Sequence, residues 1–449
     1  MAAAKEYRIL LFPWLAHGHV SPFFQLAERL SKRNFKTYVC STPVNLASIR
    51  LPADSSVQLV ELRMDSSAEL PPELHTTRNL PPHLMLNLMQ GFQACGPSLS
   101  EILISLKPDL LVYDFLQPFA AKLAAAVGIP SVFFAMMGAA YFSYYHQIYT
   151  SGSAGGYPFD AMDLFEDDVY DPRMIDSLLE GVVENEFQCG SFKLSTEIVL
   201  IKSYGNMESK YLNHLSKLSN KRLVLTGPLM AKESHNVADG EITDEIMNWL
   251  DRKTKFSTVY INFGSECYLS AEQIREIANG LEISKANFLW VMRFRDSDGV
   301  ISPAEALPEG FLERTQGRGM VLAKWVPQVR ILVHESVAAF LSHCGWSSVT
   351  ESLYLGVPIM AMPMQLADRA VNAALVVESG VGVKIERKAG QIYGGEAIAK
   401  CINEAICDEA VYRKLKNRAA ELSEEIREKE EGQINGVVEE LRELCVKRN

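Results

Sequence analysis

The sequence has no block of positive charge: 44 Lys and Arg face 55 Asp and Glu, for a formal net charge of -11. Nucleic acids and anionic membranes attract clustered cations, so the balance counts against both as partners and favours neutral substrates. None of the eight cysteines (Cys40, Cys95, Cys189, Cys267, Cys344, Cys401, Cys407 and Cys445) stands in a CxxC pair. Several fall in apolar strands, where a thiol acts as a small hydrophobe, and this usage implies a reducing compartment. The GxGxxG fingerprint is missing, which argues against a dinucleotide oxidoreductase. No repeat of short period occurs. The apolar run near Met1 is too short for a signal peptide and leads directly into a strand and helix, so the expected location is cytoplasmic. One window, Leu123 to Phe142, lacks any charge over 20 residues. Gly128 and Pro130 cut it into helix end, turn and strand, so it reads as buried sheet rather than a membrane span.

What remains is the composition of a soluble globular protein: 449 residues, 48% of them apolar and 22% charged. That length suggests two or three domains, with two similar ones the economical choice. Apolar runs of strand length recur at Tyr7–Trp14, Lys36–Cys40, Val57–Leu62, Asp109–Tyr113, Ser131–Phe134, Ile198–Lys202 and Arg222–Leu225, separated by helical stretches, the first from about Ser21 to Arg33. This alternation means a parallel α/β sheet. The polar stretch 231–242 reads as a linker. Strands resume at Ser257–Phe263, Asn287–Met292, Met320–Lys324, Ala338–Ser342, Pro358–Pro363 and Val381–Ile385. The expectation is an N-terminal Rossmann-like domain over 1–230, a linker over 231–242, and a second Rossmann-like domain over 243–449. From Gly395 onward the chain is helical, and the acidic run around Glu421–Gln433 reads as a solvated face.

The chemistry is densest between Trp325 and Arg369. A buried strand ends at Ser342, and His343, Cys344 and Gly345 turn into a helix starting at Trp346. Unpaired N–H groups and the dipole at such a helix start stabilise an anion, most naturally a phosphate or diphosphate. Gly345 is expected to allow close approach, Ser347 and Ser348 to add hydroxyl donors, and His343 a ring donor. Glu351, one turn deeper on the same face, suits a sugar diol. Trp325 offers a flat face for a base, beside Val326, and Gln328 an amide for a hydroxyl or base edge. Asp368 and Arg369 follow the next strand on the same side.

The order of Trp325, Gln328, His343, Gly345, Trp346, Ser348, Glu351, Pro363 and Asp368 resembles the signature box of the plant UDP-sugar-dependent glycosyltransferases, glycosyltransferase family 1. The resemblance spans essentially the whole chain. It implies the GT-B fold of two facing Rossmann-like domains with an interdomain cleft, with the last helix crossing back onto the first domain. It also implies inverting sugar transfer from a UDP-sugar, the donor being a substrate, and so no cofactor. Two departures concern the donor sugar: Ser347 replaces the usual Asn, and Asp368-Arg369, after one extra residue, replaces an acidic residue followed by Gln. Arg369 has three open roles: hydrogen bonding to sugar hydroxyls, favouring a carboxylate-bearing sugar, or swinging away to shorten the pocket for a pentose.

In a doubly wound sheet ligands bind at the carboxyl ends of the strands, where the loop Leu15–His19 and the strand-terminal Asp114 both lie. His19 matches the family's catalytic base and Asp114 its orienting partner; Asp114 also has a plain reading as a helix N-cap. Ser265, after the first strand of the second half, is placed to donate to phosphate. Asp296-Ser297-Asp298 has the form of a metal-binding motif, but two aspartates beside a glycine mark a solvent turn, so no metal is expected. UDP-glucose is the first choice of donor, with a pentose, glucuronic acid or rhamnose as alternatives. FPWLAHGHVSPFFQLAERLSKRNF, LPPHLM and HCGWSS look like the branch-forming subgroup, which adds a sugar to the sugar of a flavonoid or terpenoid glycoside; direct glycosylation of an aglycone is the alternative. Acceptor contacts are expected around Trp14, Phe119 and Met136 to Tyr144. A catalytically silent sugar-nucleotide-binding protein is the reading from another class. The remaining expectations are a monomer, no nucleic acid and no membrane insertion.

Overall fold

The computed structural model describes residues 6–152, 156–161, 187–230, 240–295, 299, 302–364, 367–387 and 390–448. Two compact units emerge. Unit 1 takes in the described residues of Met1–Tyr157, Asp171–His235 and Lys429–Asn449, and unit 2 those of Pro158–Tyr170 and Asn236–Glu428.

Unit 1 holds a seven-stranded sheet of β1 (Tyr7–Phe12), β2 (Phe35–Ser41), β3 (Gln58–Glu61), β4 (Leu110–Tyr113), β5 (Ser131–Ala135), β6 (Ile198–Ile201) and β7 (Arg222–Leu225). Their order is β3-β2-β1-β4-β5-β6-β7. Unit 2 holds β8 (Thr258–Asn262), β9 (Asn287–Val291), β10 (Gly319–Leu322), β11 (Val337–Ser342), β12 (Ile359–Ala361) and β13 (Gly382–Lys384), in the order β10-β9-β8-β11-β12-β13. Every pairing is parallel. The central strands β4, β5, β8 and β11 are buried at every residue, whereas the outer strands β3, β7 and β10 are only partly covered. Parallel strands need helices on both faces, which is why these segments are continuous apolar runs without alternation. Each fully buried Leu, Ile or Phe contributes about 1.5–3 kcal/mol.

The order of strands positions the chemistry. In unit 1 the direction of winding reverses between β1 and β4, which pair directly with Phe12 beside Tyr113. In unit 2 it reverses between β8 and β11, with Asn262 beside Ser342. At such a reversal neighbouring loops part in opposite directions and leave room for a ligand at the strand ends.

The charge-free window Leu123–Phe142 contains the end of the helix Pro118–Ala126, a turn with Gly128 at φ +69°, the buried strand β5, and the start of the helix Ala139–Ser151. Among the described residues no helix is long and apolar enough to cross a membrane.

Three expectations are corrected. The first helix spans His17–Ser31 rather than starting near Ser21, so His17 and His19 are in its first turn. Of the linker 231–242, residues 231–239 lie outside the described residues, and Gly240 already begins the helix Gly240–Asp251. The acidic run near Glu430 is not merely solvated. It lies on the helix Glu409–Arg448, where Arg29 pairs with Glu430 and Arg33 with Glu431, the latter at 2.5 Å. Exposed pairs contribute about 0–1 kcal/mol each, but these sit beside buried Ile434, Val437, Val438 and Leu441, which join the core of unit 1. The last segment, Lys429–Asn449, groups with unit 1, where the family resemblance led the last helix to be expected.

Candidate functional site

In unit 1 the loop after β1 and the end of β4 bring His19 and Asp114 together. His19 Nδ1 is 2.7 Å from Asp114 Oδ2. Asp114 is fully buried, and its carboxylate also accepts the backbone N–H groups of Trp14 at 3.0 Å and Phe115 at 2.8 Å. A buried carboxylate is tolerated only when so satisfied, and here the Trp14 N–H and the His19 ring tie it to the segment after β1 while the Phe115 N–H holds it from its own segment. The N-cap reading of Asp114 fails: the next helix starts at Pro118 with Gln117 as its cap residue. The side-chain oxygen of Gln117 instead accepts the Asp114 N–H at 3.1 Å.

The carbonyl of Ala16 accepts the N–H groups of both His19 and Val20 at 2.9 Å. Pro22, inside this helix, has no N–H for the Gly18 carbonyl, so the bond that would tie Gly18 to the next turn is missing. Phe115 stacks on the His19 ring at 5.5 Å between centroids. Sequence reasoning missed this contact, although an aromatic directly after a strand-end aspartate was a visible signal. Of the expected acceptor contacts, Trp14, Met136 and Tyr141 are buried in the core, while Phe119 and Tyr144 are half-exposed. His17 is half-buried at the helix start.

In unit 2 the loops after β8 and β11 meet. His343 is buried at 5% exposure, with the ring packed against two glycines. A Cβ on Gly264 would lie 2.8 Å from His343 Nε2, and one on Gly345 would lie 2.5 Å from it. The space at Gly345, expected to admit an anion, is therefore occupied by the His343 ring. Gly264 has φ +89°, which glycine adopts without cost, and Cys344 has φ +62°, where a side chain is strained. Burial first, and the nearby Arg369 charge second, push the His343 pKa well below 6.5, while a hydrogen bond to the Asn262 backbone acts in the other direction. His343 is thus a neutral imidazole. Among the described residues its Nδ1 is buried without a hydrogen-bond partner. A neutral ring carries one N–H, so Nδ1 can donate to a ligand only in the tautomer protonated there.

The helix Trp346–Tyr354 has Gly345 as its N-cap and no side-chain cap, so its first N–H groups are not taken by a capping residue. Trp346 and Ser348 are buried, whereas Ser347 and Glu351 are half-buried. Gln328 Nε2 donates to Glu351 Oε2 at 2.7 Å, which fixes the carboxylate expected to read a diol. Trp325 is 39% exposed, with the Arg293 guanidinium 5.2 Å from its ring centre. Val326 is a core residue at 4% exposure, so only its backbone is available to a ligand. Ser265 is half-buried beside Gly264.

Arg369 departs furthest from expectation. Its side chain is buried and its Nη1 donates to the Met364 carbonyl at 2.6 Å. It also places its charge beside Cys267, His343 and Cys344. The guanidinium is turned inward beside the turn rather than out to solvent. Asp368 is half-buried and bonded at 3.4 Å to Asn372, whose amide also donates to the Cys344 carbonyl at 3.0 Å. Asp296 and Asp298 lie outside the described residues. Among the described residues no three His, Cys, Asp or Glu side chains are grouped to hold a metal.

Comparison with known proteins fits this geometry. Residues 182–422 match the family described as UDP-glucoronosyl and UDP-glucosyl transferase. The chain is 42% identical over 442 residues to UDP-glucosyltransferase 29 of Panax ginseng, covering 98% of this chain and 97% of that protein. It is 38% identical to the flavanone 7-O-glucoside 2''-O-beta-L-rhamnosyltransferase of Citrus maxima, covering 98% and 97%. The crystal structure of Glycyrrhiza uralensis UGT73P12 complexed with glycyrrhetinic acid 3-O-monoglucuronide superposes with a TM-score of 0.83 at 21% identity, covering 99% of this chain and 97% of that one. Two Rossmann-like parallel sheets, a histidine on a buried aspartate and an anion-suited turn are therefore those of a UDP-sugar-dependent glycosyltransferase of the GT-B class, and the chain belongs to the UDP-glucoronosyl and UDP-glucosyl transferase family.

Proposed function

We propose that the protein transfers glucose from UDP-glucose, with inversion, to a hydroxyl on the sugar of a flavonoid or terpenoid glycoside. The carrying observation is the 2.7 Å contact between His19 Nδ1 and the fully buried Asp114 carboxylate. Holding Nδ1 on a carboxylate sets Nε2 as the proton acceptor and stabilises the imidazolium that forms. The acceptor oxygen, losing its proton to His19, bonds to the anomeric carbon. The bond from that carbon to the UDP oxygen breaks, and its electron pair leaves on the β-phosphate. The helix start at Trp346, Ser348, Ser265 and the His343 ring receive that charge. Trp325, the Val326 backbone and Gln328 hold the base and ribose, Glu351 the diol, and Ser347 and Asp368 complete the donor site. Arg369 bears on donor choice through the Met364 carbonyl it holds. Glucose is favoured by the glucosyltransferase name of the Panax relative, and a glycoside acceptor by the glucoside in the Citrus relative's name.

In this reading the protein is a cytoplasmic monomer without cofactor or metal, and its eight free cysteines support a reducing compartment. A panel of UDP-sugars crossed with aglycones and their monoglycosides, followed by mass spectrometry, tests it. The expected result is faster turnover of UDP-glucose with a monoglycoside, the new hexose attached to the existing sugar. Turnover of aglycones alone would defeat the sugar-on-sugar assignment. Activity is also expected to be unchanged by excess EDTA; loss restored by Mn would show that the diphosphate charge needs a cation.

A further inference from the structure

We infer that Asn262 is a positioning residue that fixes the polarity of the ribose reader, an inference resting on the proposed UDP site. Asn262 ends β8 and is 7% exposed. Its Nδ2 donates to Gln328 Oε1 at 2.8 Å and to the Tyr260 hydroxyl at 2.9 Å, and its Oδ1 accepts the Gly264 N–H at 3.0 Å. Tyr260 donates in turn to the same Gln328 oxygen at 3.1 Å. Gln328 Nε2 then faces Glu351 at 2.7 Å.

The ends of this chain admit one direction only. A carboxylate accepts and a backbone N–H donates, so Gln328 must turn its NH2 to Glu351 and its oxygen to Asn262. Asn262 must then present its NH2 to Gln328 and its oxygen to Gly264. Two side-chain amides, each able to flip when isolated, are thereby locked by groups that cannot reverse. The chain also joins the two halves of the nucleotide site. Gly264, held at one end, packs on the His343 ring, and Glu351 lies at the other.

Asn262→Asp tests this polarity with little change of shape. The new carboxylate still accepts from Gly264, but it now faces Gln328 Oε1 as an acceptor. Turning the Gln328 NH2 toward that carboxylate points its oxygen at Glu351, and either state breaks the chain. Calorimetry with UDP and with 2'-deoxy-UDP gives the readout. Wild type is expected to bind UDP at least about tenfold more tightly, the effect of one hydrogen bond to a charged group. In Asn262→Asp that ratio is expected to fall close to one while the fold melts normally, which a residue that merely stabilised the unit would not cause. A ratio kept at the wild-type value overturns the inference. Wild type that binds UDP but ignores the missing hydroxyl also overturns it and leaves the UDP site standing, whereas failure to bind UDP at all overturns the proposed function. If Asn262→Asp does not fold, Tyr260→Phe removes one of the two donors to Gln328 Oε1 and is expected to shrink the ratio; an unchanged ratio there counts against the inference equally.

Discussion

Two histidines lie at the two reversals of strand order, and their surroundings have opposite sign. His19 keeps 18% of its side chain exposed and sets one nitrogen on a buried carboxylate. His343 is buried beside an arginine, with one nitrogen unmatched. A carboxylate neighbour favours the protonated ring, as a base that must receive a proton requires. Burial and a cationic neighbour favour the neutral ring, so the role proposed for His343 is that of a fixed dipole at a helix start rather than of a proton carrier. The same side chain is thus given two tasks by the charge placed next to it.

The sharpest way to break the comparison is to remove the first histidine. His19→Ala is expected to lower turnover by at least about a hundredfold, the usual contribution of a general base, while UDP affinity stays near wild type. Single-turnover rates beside calorimetry of UDP binding check both halves, and an active variant would end the assignment of His19. Gly345→Ala should produce the reverse pattern. Its Cβ would meet His343 Nε2 at 2.5 Å, closer than real contacts allow, so the ring must move. UDP binding is expected to weaken about tenfold, the value of one charge-assisted hydrogen bond, with a smaller effect on turnover at saturating donor. If affinity is unchanged, the position of His343 does not matter to the nucleotide.

The thirteen strands of the described residues were legible in the sequence, the central ones because a parallel strand buried on both faces leaves an uninterrupted apolar run, and the partly covered β3, β7 and β10 because they continue the alternation of strand and helix. Asp114 and His343 directly follow such runs, whereas His19 was singled out by its match to the family's pattern rather than by the run before it. Side-chain direction was not legible. Arg369 left three roles open because it stands where the family has Gln, and nothing local announced that the Met364 carbonyl would take its guanidinium inward. Asn262 was passed over because one amide in an apolar strand has no meaning until Gln328, 66 positions later, lies against it. Glu430 and Glu431 likewise read as solvated because Arg29 and Arg33, their partners, are some 400 positions away.

The smallest expected effect concerns the second histidine alone. A histidine held neutral in the folded protein, with its pKa well below the ordinary 6.5, leaves the unfolded chain binding more protons as the pH drops. Stability is therefore fully present above pH 6.5 and is lost as the pH falls from 6.5 towards the lowered folded value. Burial is the larger cause and Arg369 the second, so Arg369→Gln raises the folded pKa of His343 only part of the way back. The variant also loses its bond to Met364, which lowers stability at every pH and does not alter the slope. His146, buried with its pKa lowered to about 4, adds the same acid sensitivity to both proteins and cancels in the comparison. Melting temperatures followed from pH 7.5 down past the lowered His343 value should then fall less in total for Arg369→Gln than for wild type, because the loss stops at a higher pH. An equal or larger fall would mean that burial alone keeps His343 neutral and that the arginine beside the turn serves only to hold the Met364 carbonyl.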